Sequence, residues 1–244
     1  MMAAWRAELV KMATVRGQWS AAVLASVALP LTSLLVAATG GLGLHDTTTS
    51  GAATGSVVAL VAFGAWAAAL AAGEFSRQTM IVSLSTVPGR ASLYISKLAA
   101  LAAVAGTGAL LSVGVALLIV REVSAPAAHR LGNPLALGIV VLAVVAVVVI
   151  GGAVGILTRS PSAAMAMVIA AVLGPAAAGG LLGGLQRWVV GASPGTVVTE
   201  MVGGGQLAPD QTYPAGPWLA ALTLVVASAA IAVVGGLVLA RRDG

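Results

Sequence analysis

The chain has 244 residues, of which 59% are hydrophobic and only 8% are charged, and its mean hydropathy is +1.06. These values exclude an ordinary soluble globular domain and predict a polytopic helical membrane protein. We interpret the net charge of +5 as a record of membrane topology rather than as a nucleic-acid-binding surface. Because the chain contains no cysteine, disulfides, thiol catalysis and cysteine metal sites are excluded.

The segment before the first apolar run, residues 5–19, carries four charged residues and has a tryptophan at each end. This pattern predicts a roughly amphipathic interfacial helix over residues 5–18, with its tryptophans at headgroup depth. A secretory signal peptide is the alternative. The apolar run that follows is too long for one, however, and no clear cleavage site closes it.

Six apolar segments follow, each bracketed by charge or by turn residues, and each is long enough to cross a bilayer core of about 30 Å as a helix. Their residues do not alternate between apolar and polar, so a β-barrel is not expected. The sequence therefore predicts an all-α membrane protein in which residues 1–244 form a single six-span domain. We place the spans at Trp19–Leu44, Thr54–Ala72, Leu98–Val120, Pro134–Leu157, Pro161–Leu185 and Pro217–Ala240.

The basic residues predict the orientation of these spans. If the N-terminus lies inside the cell, nine of the twelve basic residues face the cytoplasm, as the positive-inside rule requires. Both termini are then cytoplasmic. The cytoplasmic set is Arg6, Lys11, Arg16, Arg77, Arg90, Lys97, Arg159, Arg241 and Arg242, and the external set is Arg121, Arg130 and Arg187.

The connection between the second and third spans, GEFSRQTMIVSLSTVPGR at residues 73–90, is longer than a turn needs. It predicts a helix along the membrane surface from about Glu74 to Thr86, ended by Pro88 and Gly89. The alternative is an ordinary amphipathic connector whose arginines satisfy the positive-inside rule. That alternative does not explain the acid at its start, its length or its Pro-x-Arg ending.

Two further segments carry informative patterns. Residues 186–216, on the predicted outside, are too broken by glycine and proline to span the membrane, and they predict a re-entrant or surface-lying pair of short helices. The fifth span ends in AAAGGLLGG, which contains two overlapping Gly-x-x-x-Gly motifs that would let helices approach closely, within one subunit or between two. The glycines are Gly179, Gly180, Gly183 and Gly184.

The connection at 73–90 strongly resembles the region after the second span in permeases of the ABC-2 family, the type-2 exporters with the type V fold. Family members commonly show an acid, a basic residue, a Gln-Thr or Gly-Thr pair, a short helix, then Pro-x-Arg and a lysine. The six-span layout, the N-terminal interface helix and the external re-entrant segment are also similar. The matching positions are Glu74, Arg77, Gln78, Thr79, Pro88, Arg90 and Lys97.

The resemblance implies a permease subunit that works as a homodimer with two copies of a separate ATP-binding subunit, which would hold the ATP and magnesium. Residues 74–90 would be the coupling helix that contacts this ATPase, together with the interface helix. The fifth span, with its glycines, would contact the first span of the other copy. The resemblance also implies export through the cell membrane, with both termini cytoplasmic.

The chain itself is not expected to hydrolyse ATP. A phosphate-binding loop needs a Gly-Lys-Ser/Thr sequence, and neither Lys11 nor Lys97 follows a glycine. No apolar run holds an acid or a histidine at its centre, which disfavours an ion-driven transporter and favours a hydrophobic or amphipathic substrate such as a drug, an antibiotic peptide or a lipid.

Two other classes of function remain open. The first is a membrane scaffold or sensor that transports nothing and docks a cytoplasmic partner through residues 74–90. The second is an intramembrane serine hydrolase, because residues 191–195, GASPG, formally match the nucleophile elbow around Ser193. The elbow also requires a strand, a turn and a helix with a histidine near the serine. Only His45 and His129, both predicted outside, could supply that histidine.

Overall fold

The computed structural model describes residues 2–43, 46–76, 90–123, 130–203 and 207–242. All regular structure in these ranges is helical. The α-helices are α1 (Met2–Thr14), α2 (Arg16–Ala38), α3 (Thr48–Ala53), α4 (Ser56–Ser76), α5 (Arg90–Val123), α6 (Leu135–Thr158), α7 (Pro161–Ala178), α8 (Gln186–Val189), α9 (Pro194–Val202) and α10 (Pro217–Arg242).

The prediction of six membrane-spanning helices is confirmed. Six helical stretches, in the predicted order along the chain, are long enough and apolar enough to cross a membrane. The six stretches that meet both conditions are Arg16–Ala38, Thr48–Phe75, Ala91–Val123, Leu135–Thr158, Pro161–Leu181 and Pro217–Arg241. The protein is therefore an all-α, multi-pass membrane protein.

The second and fourth spans form the centre of the bundle. In their most apolar stretches 67% and 72% of the residues are buried, against 22–33% in the other four spans. Glycines let α4 and α6 approach closely. A Cβ added at Gly151 would lie 2.5 Å from the carbonyl oxygen of Gly64, and one added at Gly155 would lie 2.6 Å from that of Ala68.

The turn between the fourth and fifth spans is as short as the sequence predicts. Arg159, which follows the last residue of α6, adopts the left-handed conformation (φ 55°), and its N–H donates to the carbonyl oxygen of Gly155 at 3.0 Å. Ser160 then leads directly into Pro161, the first residue of α7, where a proline costs the helix no hydrogen bond.

Two predicted boundaries beside the connection at 73–90 are wrong. The helix of the second span does not end at Ala72 but continues to Ser76, because the single Gly73 weakens the helix without ending it, so Glu74 belongs to α4. The helix of the third span begins at Arg90 rather than at Leu98. Lys97 therefore lies two turns inside α5.

The prediction that the fifth span runs as an α-helix to Leu185 is also wrong. The α-helix ends at Ala178, and two short 3-10 turns follow, Gly179–Leu181 and Gly183–Leu185. Pro175 removes one helical hydrogen bond, and glycine is a poor helix former, so the α-helix stops there. The four glycines thus do not share one α-helical face, and their part in a dimer stays a prediction.

The described part of residues 186–216 contains two short helices, α8 and α9. Residues 194–198 of α9 are buried, and this helix packs against α6 and α10. Whether the segment re-enters a membrane stays a prediction.

The two ends of the bundle are distinct. At one end, here called the cluster end, the guanidinium of Arg159 lies 5.0 Å from the centre of the Phe75 ring, so the end of α4 meets the turn between α6 and α7. At the opposite end, here called the far end, the N–H of Thr48 in α3 donates to the carbonyl oxygen of Arg130 at 2.9 Å.

Candidate functional site

Four charged side chains from three helices meet at the cluster end. Glu8 and Lys11 come from α1, Glu74 from the last turn of α4, and Lys97 from the second turn of α5. We call these four residues the ion cluster. No other charged residue in the described part of the chain is as deeply buried as Glu8, Glu74 and Lys97.

Lys97 is at the centre of the ion cluster. Its Nζ lies 3.0 Å from Oε2 of Glu8 and 2.6 Å from Oε2 of Glu74, and its side chain is only 1% exposed. The other carboxylate oxygen of Glu74, Oε1, accepts a hydrogen bond from Nζ of Lys11. Each lysine therefore contacts an acid from another helix, and Glu74 contacts both lysines.

The spacing of residues on α1 explains how this short helix supplies two members. Glu8 and Lys11 are three residues apart, so they lie on one face of the helix, and Met12 on the same side is buried as well. Arg6 and Val10 remain exposed. The face of α1 that packs against α5 is thus built from charges and a methionine rather than from a purely apolar stripe.

The charges in the ion cluster balance, with two acids and two bases. Taking a single ion out of water costs several kcal/mol, and a buried pair recovers this only with good geometry and additional hydrogen bonds. Removing one member strands its partner's charge, which typically costs about 3–5 kcal/mol. The cluster therefore fixes the position of α1 against two spans and resists partial opening.

A second polar contact joins the cluster end to the last span. The hydroxyl of Tyr94, one turn before Lys97 on α5, donates to the carbonyl oxygen of Ala232 in α10 at 2.6 Å. A Cβ added at Gly235 would lie 2.5 Å from this hydroxyl oxygen, so glycine leaves the room that the tyrosine occupies. At this end α5 is fixed to α1, α4 and α10 by polar groups.

The structure brings together only part of the predicted coupling residues. Glu74 and Lys97 meet in the ion cluster, and Arg90 is the first residue of α5. The other predicted coupling residues, and the surface helix predicted up to Thr86, lie outside the described residues. Those residues are Arg77, Gln78, Thr79 and Pro88.

Glu8 and Lys11 were not predicted as site residues. One signal in the sequence could have found Glu8. Lys97 stands within an apolar helix and needs an acid, and beside the C-terminal Asp243 the chain offers only Glu8 and Glu74 on the same predicted side. A lysine at such a position is rarely left unpaired.

The hydrolase alternative gains no support from the geometry. Ser193 is buried, its hydroxyl donates to Oγ1 of Thr196 at 3.0 Å, and it precedes the first turn of α9 without a strand before it. Both histidines lie outside the described residues. In the part of the chain that the structure describes, no three potential metal ligands gather.

The protein is thus defined as a six-span helical membrane protein whose N-terminal helix is joined by buried ion pairs to its second and third spans. A scan against protein-family models finds none that matches the chain, and a search of curated proteins finds no match either. What the protein does must be inferred from its own residues and geometry.

Proposed function

We propose that this protein is the transmembrane permease subunit of an ATP-driven exporter of the ABC-2 type, working as a homodimer with two copies of a separate ATPase subunit. The observation that carries the proposal is the ion cluster. It joins α1, the proposed interface helix, to the two spans that flank residues 77–89, the greater part of the proposed coupling helix.

The ion cluster supports a mechanical role because breaking any one of its buried contacts has a high cost in free energy. If the ATPase displaced α1 or the connection at 77–89, Lys97 could follow only together with Glu8 and Glu74, because separating them would leave buried charges unpaired. Motion at either element would therefore reach the second and third spans together. The two states of the ATPase would have to bind the two permease conformations with different affinity.

The finer features of the proposal follow the resemblance. Both termini and the cluster end face the cytoplasm of a cell membrane, and residues 186–216 form the external re-entrant segment. ATP and magnesium bind in the partner. In the described spans, buried charge is confined to the cluster end, which supports a hydrophobic or amphipathic substrate over a small ion.

Co-purification tests the proposal. From its own host, the detergent-solubilised protein should recover an ATP-binding subunit, and the complex should hydrolyse ATP. Replacing Glu74 and Arg90 by glutamine should lower this ATPase turnover or release the subunit. Replacing Arg121, an exposed arginine at the far end, by glutamine is the matched control and should change neither. Recovery of no nucleotide-binding protein would refute the exporter proposal.

Cysteine labelling tests the orientation, and the natural chain has no cysteine to interfere. In intact cells Glu122→Cys, exposed at the far end, should react with a membrane-impermeant maleimide. Thr14→Cys, exposed at the cluster end, should react only after the cells are opened. The reverse pattern would place the ion cluster outside and remove it from reach of any cytoplasmic ATPase.

A further inference from the structure

A cavity of about 360 Å³ opens beside the ion cluster, between the junction of α1 with α2 and the second half of α4. Its size is within the range of about 300–1,000 Å³ that is typical of small-molecule sites. Lys11, Gln18 and Glu74 supply the polar part of its wall, and the rest of the wall is apolar or glycine. The cavity is thus amphipathic.

The cavity is elongated along a membrane-spanning helix. Trp66 and Glu74, both in its wall, are eight residues apart on α4, which corresponds to about 12 Å along the helix axis. Ala69 and Leu70 lie between them. A ligand that fills this space would place one end near the charges at the end of the span and the other against apolar side chains deeper in it.

The polar part of the cavity favours an anion. The ion cluster is neutral as a whole, but Lys11 is its most exposed member, with 29% of its side chain accessible. Arg16 is exposed and stands between Val15 and Gly17, which both line the cavity. The accessible charges in the cavity wall and next to it in the chain are therefore both positive.

The cavity wall also holds an unsatisfied hydrogen-bond acceptor. Oε1 of Gln18 is buried and has no hydrogen-bond partner among the described residues. The Nε1–H of Trp66 donates instead to the main-chain oxygen of Gln18 at 3.2 Å. A buried acceptor without a donor is unfavourable, so a ligand that offers a hydroxyl here gains that contact.

We propose that this cavity binds one molecule of an anionic glycerophospholipid with a hydroxylated headgroup. The phosphate contacts Lys11 and Arg16, a headgroup hydroxyl donates to Oε1 of Gln18, and part of one acyl chain lies against Ala69 and Leu70. The membrane around the spans supplies the lipid. The site holds whether or not the protein is an exporter, because it needs no ATPase partner.

Quenching of Trp66 fluorescence by brominated phosphatidylglycerol tests the proposal. The other four tryptophans are replaced by phenylalanine, and the protein is placed in phosphatidylcholine bilayers. Brominated phosphatidylglycerol should quench Trp66 with about tenfold higher apparent affinity than brominated phosphatidylcholine. This ratio corresponds to about 1.4 kcal/mol.

Three variants separate the cavity from a general attraction of anionic lipid to basic residues. Ala69→Leu fills the apolar part of the cavity and should abolish the preference. Ala163→Leu makes the same change on the exposed face of α7, near the same end of the bundle, and should leave the preference unchanged. Gln18→Leu removes the unsatisfied acceptor without touching the main-chain bond to Trp66, and it should reduce the preference.

Equal quenching by the two lipids would overturn the proposal, and so would a preference that survives Ala69→Leu. Native mass spectrometry of the unaltered protein, released from bilayers that contain both lipids, gives a second measurement that does not depend on the tryptophan substitutions. We expect one retained phosphatidylglycerol per chain, and retention of none contradicts the site.

Discussion

The cluster end and the far end of the bundle hold their helices together by different means. At the cluster end, charged side chains from α1, α4 and α5 meet directly, although they are separated by up to 89 residues in the chain. At the far end, most polar bonds join near neighbours. Thr47 and Ser50 form a reciprocal capping box at the start of α3, and Asp46 accepts from the N–H of Gly43 at 2.7 Å.

The difference has a physical consequence. A hydroxyl that bonds three or four residues away stabilises one turn, and its loss is tolerated because the neighbouring turns persist. A buried ion that bonds to another helix loses part or all of the compensation for its lost hydration when that helix moves. The polar contacts of the far end can therefore be lost one at a time, whereas those of the ion cluster are kept or lost together.

The largest effect is expected for Lys97→Met. This change strands Glu8 in a buried site and removes one of the ion pairs of Glu74, so the free energy of unfolding should fall by about 3–5 kcal/mol. Denaturation by SDS in mixed micelles measures it. At the far end, the exposed pair of Arg121 and Glu122 offers the matched control, and Arg121→Met should change the free energy by less than about 1 kcal/mol.

The second prediction separates stranded charge from lost packing. If Lys97→Met destabilises through unpaired acids, then replacing the other three members as well, with Glu8→Leu, Glu74→Leu and Lys11→Met, should recover about 3 kcal/mol or more of what the single change cost. The same unfolding assay measures the recovery. A fully apolar variant as unstable as Lys97→Met would show that the cluster stabilises through shape and not through charge balance. Under the proposed function, the apolar variant should still lose coupled ATPase turnover.

The membrane spans could be predicted from sequence because a long apolar run without charges is almost sufficient to identify a membrane-spanning helix. Their ends could not, because helix continuation past Ala72 or before Leu98 depends on whether neighbouring helices shelter the extra turns. Lys97 shows this well. It looks like a charge at the edge of a span, yet it is buried because α1 covers it with Glu8.

Two of the four residues of the ion cluster, Glu8 and Lys11, were not predicted, and the reason is related. Glu8 and Lys11, three residues apart on a short helix, form the pattern of a solvated helix face, and nothing local distinguishes it from a buried one. The contacts of Glu8 and Lys11 with Lys97 on α5 and Glu74 on α4 show that this face is covered. The weak amphipathicity of α1 thus reflects a buried face made of ions.

The third prediction asks whether tight packing alone, away from both ends, produces effects as large as those at the ion cluster. Gly151→Ala would place its methyl group 2.5 Å from the carbonyl oxygen of Gly64, so the free energy of unfolding should fall by about 1–3 kcal/mol. Gly138→Ala on the same helix meets nothing within 4 Å and should be neutral or stabilise by about 0.5–1 kcal/mol. A loss at Gly151 that exceeded the one at Lys97 would mean that packing, and not buried charge, dominates.

The smallest effect compares the two ends through the only two tyrosines in the chain. Tyr94→Phe removes the bond of 2.6 Å from the buried tyrosine to the carbonyl oxygen of Ala232 at the cluster end, so the loss should be about 1 kcal/mol. Tyr213→Phe removes a contact of 3.3 Å with the hydroxyl of Thr223 at the far end, where Tyr213 is half-buried, and keeps the edge-on packing against Trp188. Its loss should be only a few tenths of a kcal/mol, because a longer bond at a partly exposed site is more easily replaced by water. Equal losses at the two tyrosines would show that the long-range hydrogen bond at the cluster end contributes no more to stability than the local hydrogen bond at the far end. The buried charges alone would then distinguish the two ends.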